Sequence, residues 1–218
     1  MIRRACVISA MAAVILAFLA TPALAASAAD VKLTVVPPPL PVRYPLTVAI
    51  TGTLTADGVP LAGEDVQVGQ TVDGAFTAVA SATTDASGSY QAWIKPAANG
   101  TWTALWGDAQ GDEVAITVAP HVSLALTHVQ SGRRLTEIFR GAVGPRHAGM
   151  SVLVQKSVGG VWKTVAGGSL DARSHYRIAW NVPYKTATYK LRTILPEHAD
   201  HAQGTSATAR LRVVIRKS

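Results

Sequence analysis

Cysteine is almost absent from this 218-residue chain; the single one, Cys6, lies in an apolar stretch at the start. No disulfide framework can hold the remainder, and neither a thiol nucleophile nor a thiolate metal site can occur after residue 6. Aromatic residues are sparse at 6% and charged residues at 15%. Helical periodicity is nearly missing beyond residue 25. Catalytic signatures are missing too: there is no Gly-x-Ser-x-Gly elbow, no Ser-x-x-Lys, no His-Glu-x-x-His and no phosphate-cradling glycine loop. Asp171, Ser174 and His175 are near one another, but their spacing puts them around one hairpin turn with nothing to orient the imidazole. Neither enzymatic activity nor a cofactor is expected.

A long apolar run occurs only at the start. Residues 5–20 follow Arg3 and Arg4, are broken by Thr21-Pro22, and lead to Ala23-Leu24-Ala25, a small-x-small cleavage site. The run is short of the roughly 20 residues that a span needs. Residues 1–25 therefore read as a cleaved signal peptide, with an extracellular or cell-envelope destination and a mature chain that has no membrane span.

What is present is a repeat. Shifted by 86 positions, residues 62–94 fall on 148–180 without a gap, and 11 of the 33 positions are identical. They include Val66/Val152, Val68/Val154, Gly74/Gly160, Asp85/Asp171 and Tyr90/Tyr176. These are alternating apolar residues and turn residues, which specify scaffold rather than chemistry. Val and Thr are abundant and turn residues recur about every ten positions, as in short strands of a sandwich. The fold class expected is all-β: two tandem immunoglobulin-like β-sandwiches of about seven strands each. The boundaries expected are 26–120 and 121–218, with Ala119-Pro120-His121 as the linker. Strands are expected near 46–54, 65–71, 75–83, 88–95, 100–107 and 112–119, and again near 121–128, 134–142, 149–157, 160–168, 174–181, 186–194 and 205–215.

Gly58-Val59-Pro60-Leu61-Ala62-Gly63-Glu64-Asp65-Val66, Gly74-Ala75-Phe76, Thr84-Asp85-Ala86-Ser87-Gly88-Ser89-Tyr90 and Asn99-Gly100-Thr101-Trp102 together resemble the bacterial Ig-like repeats of exported and surface proteins. They are similar, more loosely, to carboxypeptidase-regulatory and collagen-adhesin B-type modules. The second copy keeps Ala148-Gly149, Gly160-Val161-Trp162 and Tyr176 but has Ser174 in place of the turn glycine. The resemblance implies a β-sandwich serving as spacer, stalk or accessory binding module.

Charge separates the copies. Residues 26–120 hold three Lys/Arg against nine Asp/Glu; residues 121–218 hold fifteen against four, together with all six histidines. Lys190 and Arg192 alternate with core positions, as do Arg210 and Arg212. In an Ig-type sandwich the last two strands pair, which would bring these four cations together, with Arg177 extending the patch. Such a face suits an anionic cell-envelope polymer or an acidic protein surface, and self-association between an acidic first domain and a basic second one. Nucleic acid is not expected, because no aromatic-interleaved groove accompanies the charge.

Two alternatives remain open. Trp93 shares the outward face of its strand with Gln91 and Lys95, so it either stacks on a glycan or packs at the domain interface; Trp102, Trp106, Trp162 and Trp180 read as core or hairpin-packed. Glu197-His198-Ala199-Asp200-His201 offers two imidazoles and two carboxylates in five residues, a set that suits zinc or copper. As an isolated loop it fixes little, and His147 or His175 would have to converge on it.

Overall fold

The computed structural model describes residues 31–215. The expected signal peptide, Arg216 and Lys217 lie outside them. No helix occurs among the described residues, and two separate hydrophobic cores form, one in each half. The first sandwich is built from β1 (Val31–Leu33), β2 (Val48–Ala56), β3 (Asp65–Val72), β4 (Ala75–Thr83), β5 (Ser89–Ile94), β6 (Gly100–Trp106) and β7 (Val114–Ile116). The second is built from β8 (Ala125–Ser131), β9 (Arg134–Gly144), β10 (Ser151–Val158), β11 (Val161–Ser169), β12 (His175–Val182), β13 (Ala187–Leu195) and β14 (Ala209–Val213).

Both sandwiches have one plan. One sheet runs β1–β2–β5, repeated as β8–β9–β12; the other runs β4–β3–β6–β7, repeated as β11–β10–β13–β14. Alternation selects the inner faces. Tyr90, Ala92 and Ile94 are buried on β5 and Tyr176, Ile178, Trp180 and Val182 on β12, while Gln91, Trp93, Arg177 and Ala179 point out. Each fully buried Val, Leu, Ile or Phe contributes about 1.5–3 kcal/mol. This chain has no disulfide beyond residue 6 to supplement that burial.

Three expected strands are broken where the chain changes partner. After β7, Val118–Ala119 pairs in parallel with Val42–Arg43. Past Pro120, His121–Val122 pairs with the end of β9 before β8 begins. Near the C-terminus, Gly204–Thr205 and β14 pair separately with β13, and Ser206 stands between them. The Ser206 hydroxyl accepts from the Thr193 amide at 2.9 Å, so the ladder is bridged by a side chain at the break.

The repeated identities acquire physical reasons. Tyr90 lies opposite Gly52 in the β2–β5 register, and Tyr176 opposite Gly141 in β9–β12. Each tyrosine ring covers its glycine, and its hydroxyl donates to a carbonyl on the neighbouring segment: Thr34 for Tyr90 and Ser123 for Tyr176, both at 2.6 Å. A Cβ on Gly52 would lie 2.0 Å from the Thr34 oxygen, and one on Gly141 2.1 Å from that of Ser123. Burial pushes the Tyr90 hydroxyl up to about 12, which keeps it a donor. The β-bulge recurs as well, after Val68 in β3–β4 and after Val154 in β10–β11. Asp85 Oδ1 accepts from the amides of Ser87 and Ser89, and Asp171 Oδ1 from those of Arg173 and His175, closing equivalent turns.

Glu137 breaks the apolar pattern of the second core. It is 1% exposed, faces Trp180 in the β9–β12 register, and its Oε2 has no hydrogen-bond partner. Burial raises its pKa, and His128, opposite it in β8–β9, opposes that rise in part. The folded state thus holds the Glu137 proton more tightly than the unfolded chain, whose glutamates titrate near about 4.3. Stability from this group is present below that pH and is lost as pH rises through the folded-state pKa.

Two stability measurements follow from these contacts. Tyr176→Phe should lower stability by about 1–3 kcal/mol, since the partly buried Ser123 carbonyl loses its donor, and Gly141→Ala should cost more because backbone must move. Urea midpoints of the two variants, ordered the other way, would contradict this. Glu137→Gln should raise the melting temperature at pH 7 and shrink the gain at acid pH, as thermal scans across pH 4–8 would record.

Candidate functional site

Four of the five cations expected on one face come together. In the β13–β14 ladder Lys190 sits directly opposite Arg210, and Thr188 opposite Arg212. Leu191 and Val213 point to the core, so the cations point out. Arg192 continues the face toward β10, where its Nε donates to Gln155 Oε1 at 2.9 Å. Its guanidinium lies 4.3 Å from the centre of the Trp162 ring. Partial burial pulls the Arg192 pKa down from its usual value. Among the described residues no carboxylate lies within 4.0 Å of any of these four cations.

Three expected placements, those of Trp162, Arg177 and Trp93, change. Of the two placements expected for Trp162, core or hairpin, the core one does not hold: Trp162 lies on this outer face of the β10–β11 hairpin, beneath Arg192, and the bulge after Val154 sets which residues of that hairpin point out. Arg177 does not extend the patch. It lies on β12, in the other sheet, opposite Arg140. Trp93 is 61% exposed on β5, beside Ala49, and so does not pack at a domain interface. Thr51, Gln91, Thr53 and Ser89 continue its face and line an open groove of about 640 Å³.

The histidine-rich segment is not a solvated loop. Mutual backbone bonds of 3.1 Å between His198 and His201 close residues 198–201 into a tight turn. That turn is docked against the first sandwich. The Asn99 amide donates to the Asp200 carbonyl at 2.7 Å, and the Ala202 amide to that of Val118 at 2.8 Å. The Asn99 side chain in turn accepts from the Val118 amide at 2.7 Å. His201, 3% exposed, bonds through Nε2 to the Ala97 carbonyl at 2.7 Å.

His147 converges on this turn, and His175 does not. His175 stays exposed beside Asp171, and Glu197 is exposed outside the cluster. His147 is 5% exposed and its Nε2 lies 3.2 Å from His201 Nδ1. Asp200 Oδ1 lies 3.1 Å from His198 Nε2 and 3.4 Å from His201 Nδ1. One ring nitrogen from each of His147, His198 and His201 falls within 4.8 Å of the other two. Burial lowers the His147 pKa, although its bond to the Pro145 carbonyl works the other way.

The substitution of glycine by Ser174 in the second copy belongs to this arrangement. Gly88 has φ 72° and Ser174 keeps φ 62°, a left-handed conformation that costs a side-chain-bearing residue about 1–2 kcal/mol. In return the Ser174 hydroxyl accepts from the His147 amide at 2.6 Å. The serine thus anchors the backbone that carries His147. Nothing in the local sequence pattern signals that link, because 27 residues separate the two.

No family model matches the chain, and no curated protein matches it. Solved structures to which the chain is similar include the tetra-tandem repeat in the extending region of a large adhesion protein, 18% identical over 85% of this chain and 50% of that one, with a TM-score of 0.37. The Yersinia pseudotuberculosis adhesin InvE is 13% identical over 85% of this chain and 59% of that one, at 0.37. The chicken interferon gamma receptor alpha chain is 11% identical over 86% and 98%, at 0.40. This chain spans about half the length of the adhesion-protein repeat. At such values the sandwich assignment stands on the strand pairing above.

Ser174→Ala should keep the strained turn while leaving the buried His147 amide without an acceptor. A loss of about 1–3 kcal/mol is expected, against a far smaller loss for Ser87→Ala on the exposed equivalent turn. Equal urea midpoints for the two variants would contradict the anchoring role.

Proposed function

We propose that this chain is an exported, non-enzymatic binding or structural module of the cell surface, with two domains meeting at Pro120. On this reading its second domain docks on an anionic cell-envelope polymer through Lys190, Arg192, Arg210 and Arg212. The observation that carries the reading is the Lys190–Arg210 pair. Like charges directly opposite one another in a ladder are destabilising, and here no carboxylate among the described residues offsets them. An anionic partner would. Stacking on Trp162 and the bond to Gln155 hold Arg192 in place before any partner arrives, which reduces the ordering cost of binding. The acidic first domain adds polarity: it would be repelled by the same polymer and face away, or meet the basic face of a second copy.

A second reading rests on Trp93. An indole exposed to this degree, with a hydroxyl-lined groove on the same face, suits a sugar ring stacked on the aromatic.

Salt separates the two. Charge attraction is screened beyond about 8 Å at 0.15 M ionic strength and further at higher salt, while stacking is not. Binding to isolated anionic wall polymer should fall steeply between 0.05 and 0.5 M salt (roughly a Debye length of 14 to 4 Å). It should be lost when Lys190, Arg192, Arg210 and Arg212 are all changed to glutamine. Binding that survives both changes but is lost in Trp93→Ala would replace the polymer reading with the glycan one.

A further inference from the structure

We propose that His147, His198, His201 and Asp200 form a binding site for one divalent transition-metal ion of the zinc type, placed where the two sandwiches meet. The argument starts from the nitrogens that point away from the cluster. His147 Nδ1 lies 2.6 Å from the Pro145 carbonyl, His198 Nδ1 3.1 Å from that of Pro196, and His201 Nε2 2.7 Å from that of Ala97. A carbonyl oxygen can only accept, so each of these nitrogens carries the proton. In the neutral rings the opposite nitrogens, His147 Nε2, His198 Nε2 and His201 Nδ1, then present lone pairs.

Those lone pairs face one another. His147 Nε2 and His201 Nδ1 are 3.2 Å apart, yet neither has a proton to give the other. His198 Nε2 is buried and makes no hydrogen bond; Asp200 Oδ1 is 3.1 Å away but also only accepts. Four acceptors gathered with no donor repel one another unless a positive charge sits among them. A proton on one ring could serve only a single pair. A metal ion serves all four at once. Zn–N bonds of about 2.0–2.1 Å in a tetrahedron separate neighbouring ligand nitrogens by about 3.3 Å, close to the spacing of His147 and His201.

The surroundings have the form that such a site requires. Metal-bound imidazoles usually donate their second N–H to a carbonyl or carboxylate, which fixes tautomer and ring orientation. All three rings do so here. The Ser174 hydroxyl holds the His147 amide, and Asn99 holds the Asp200 carbonyl. Asp200 is the exposed member, with 62% of its side chain accessible, and gives the ion a route in. Among the described residues no other set of three His, Cys, Asp or Glu side chains converges in this way. Because Ala97 and Asn99 belong to the first sandwich and the ligands to the second, the ion would couple occupancy to the angle between them.

Zinc titrated calorimetrically into the metal-stripped full-length chain tests this. One ion per chain is expected, with a rise in melting temperature, and cobalt should give the intense visible absorption of a tetrahedral site. His147→Ala should weaken zinc binding by at least about tenfold. Because that variant removes a buried ring, His198→Gln and Asp200→Asn, at more accessible positions, provide folded counterparts with the same expected loss. The double variant His128→Ala/His175→Ala, which removes exposed histidines elsewhere, should bind as the parent does. The proposal is overturned by an absence of stoichiometric binding, by unchanged affinity in folded His198→Gln, or by an equal loss in the exposed-histidine control.

Discussion

The relation between the two halves of this protein rests on a few backbone hydrogen bonds. Amides and carbonyls removed from water need partners, and at the junction those of one sandwich find them in the other. The Ala97 carbonyl takes the His201 imidazole, the Asp200 carbonyl takes the Asn99 amide, and the Val118 carbonyl takes the Ala202 amide. Val118–Ala119 pairs back onto Val42–Arg43, and His121–Val122 pairs forward onto β9. Pro120 is thus the one residue between the two ladders, and it is itself buried. A flexible tether would have left these groups to water. Here they are spent on holding one sandwich against the next.

Duplication supplied the scaffold and divergence supplied the junction. The tyrosine over its glycine, the bulge and the aspartate-closed turn occur in both copies with the same contacts. The second copy departs from the first where the junction and the basic face lie. Ser174 stands for Gly88 and reaches His147; Lys190 and Arg210 form a ladder pair on the outer face. Strain at Ser174 and repulsion at Lys190–Arg210 both work against folding alone. Local costs of this kind cluster at functional sites, where something else offsets them.

Much of the scaffold was legible in the sequence because period-two alternation and turn residues are local signals. Tyr90 and Tyr176 stood out as identities at a spacing of 86. Their glycines did not, since Gly52 and Gly141 are 89 apart and fall outside the ungapped match. The basic face was legible as far as strand pairing could be assumed, which holds for Lys190, Arg192, Arg210 and Arg212. Arg177 shows the limit: alternation gives the side of a strand, not the sheet to which the strand belongs. Trp162 shows another, because a bulge shifts the phase of alternation without changing composition. His198, Asp200 and His201 were visible as a cluster. His147 lies more than fifty residues earlier and enters the site only through the fold.

The central claim is that the loop around Ala97 and Asn99 and the turn at residues 198–201 lock the sandwiches into one body. Residual dipolar couplings of backbone amides test it most directly, because each rigid body reports its own alignment tensor. Couplings from β1–β7 and from β8–β14 should fit a single tensor of common magnitude and orientation. Two tensors of different magnitude would mean that the sandwiches move independently about Pro120, and the junction described here would not hold.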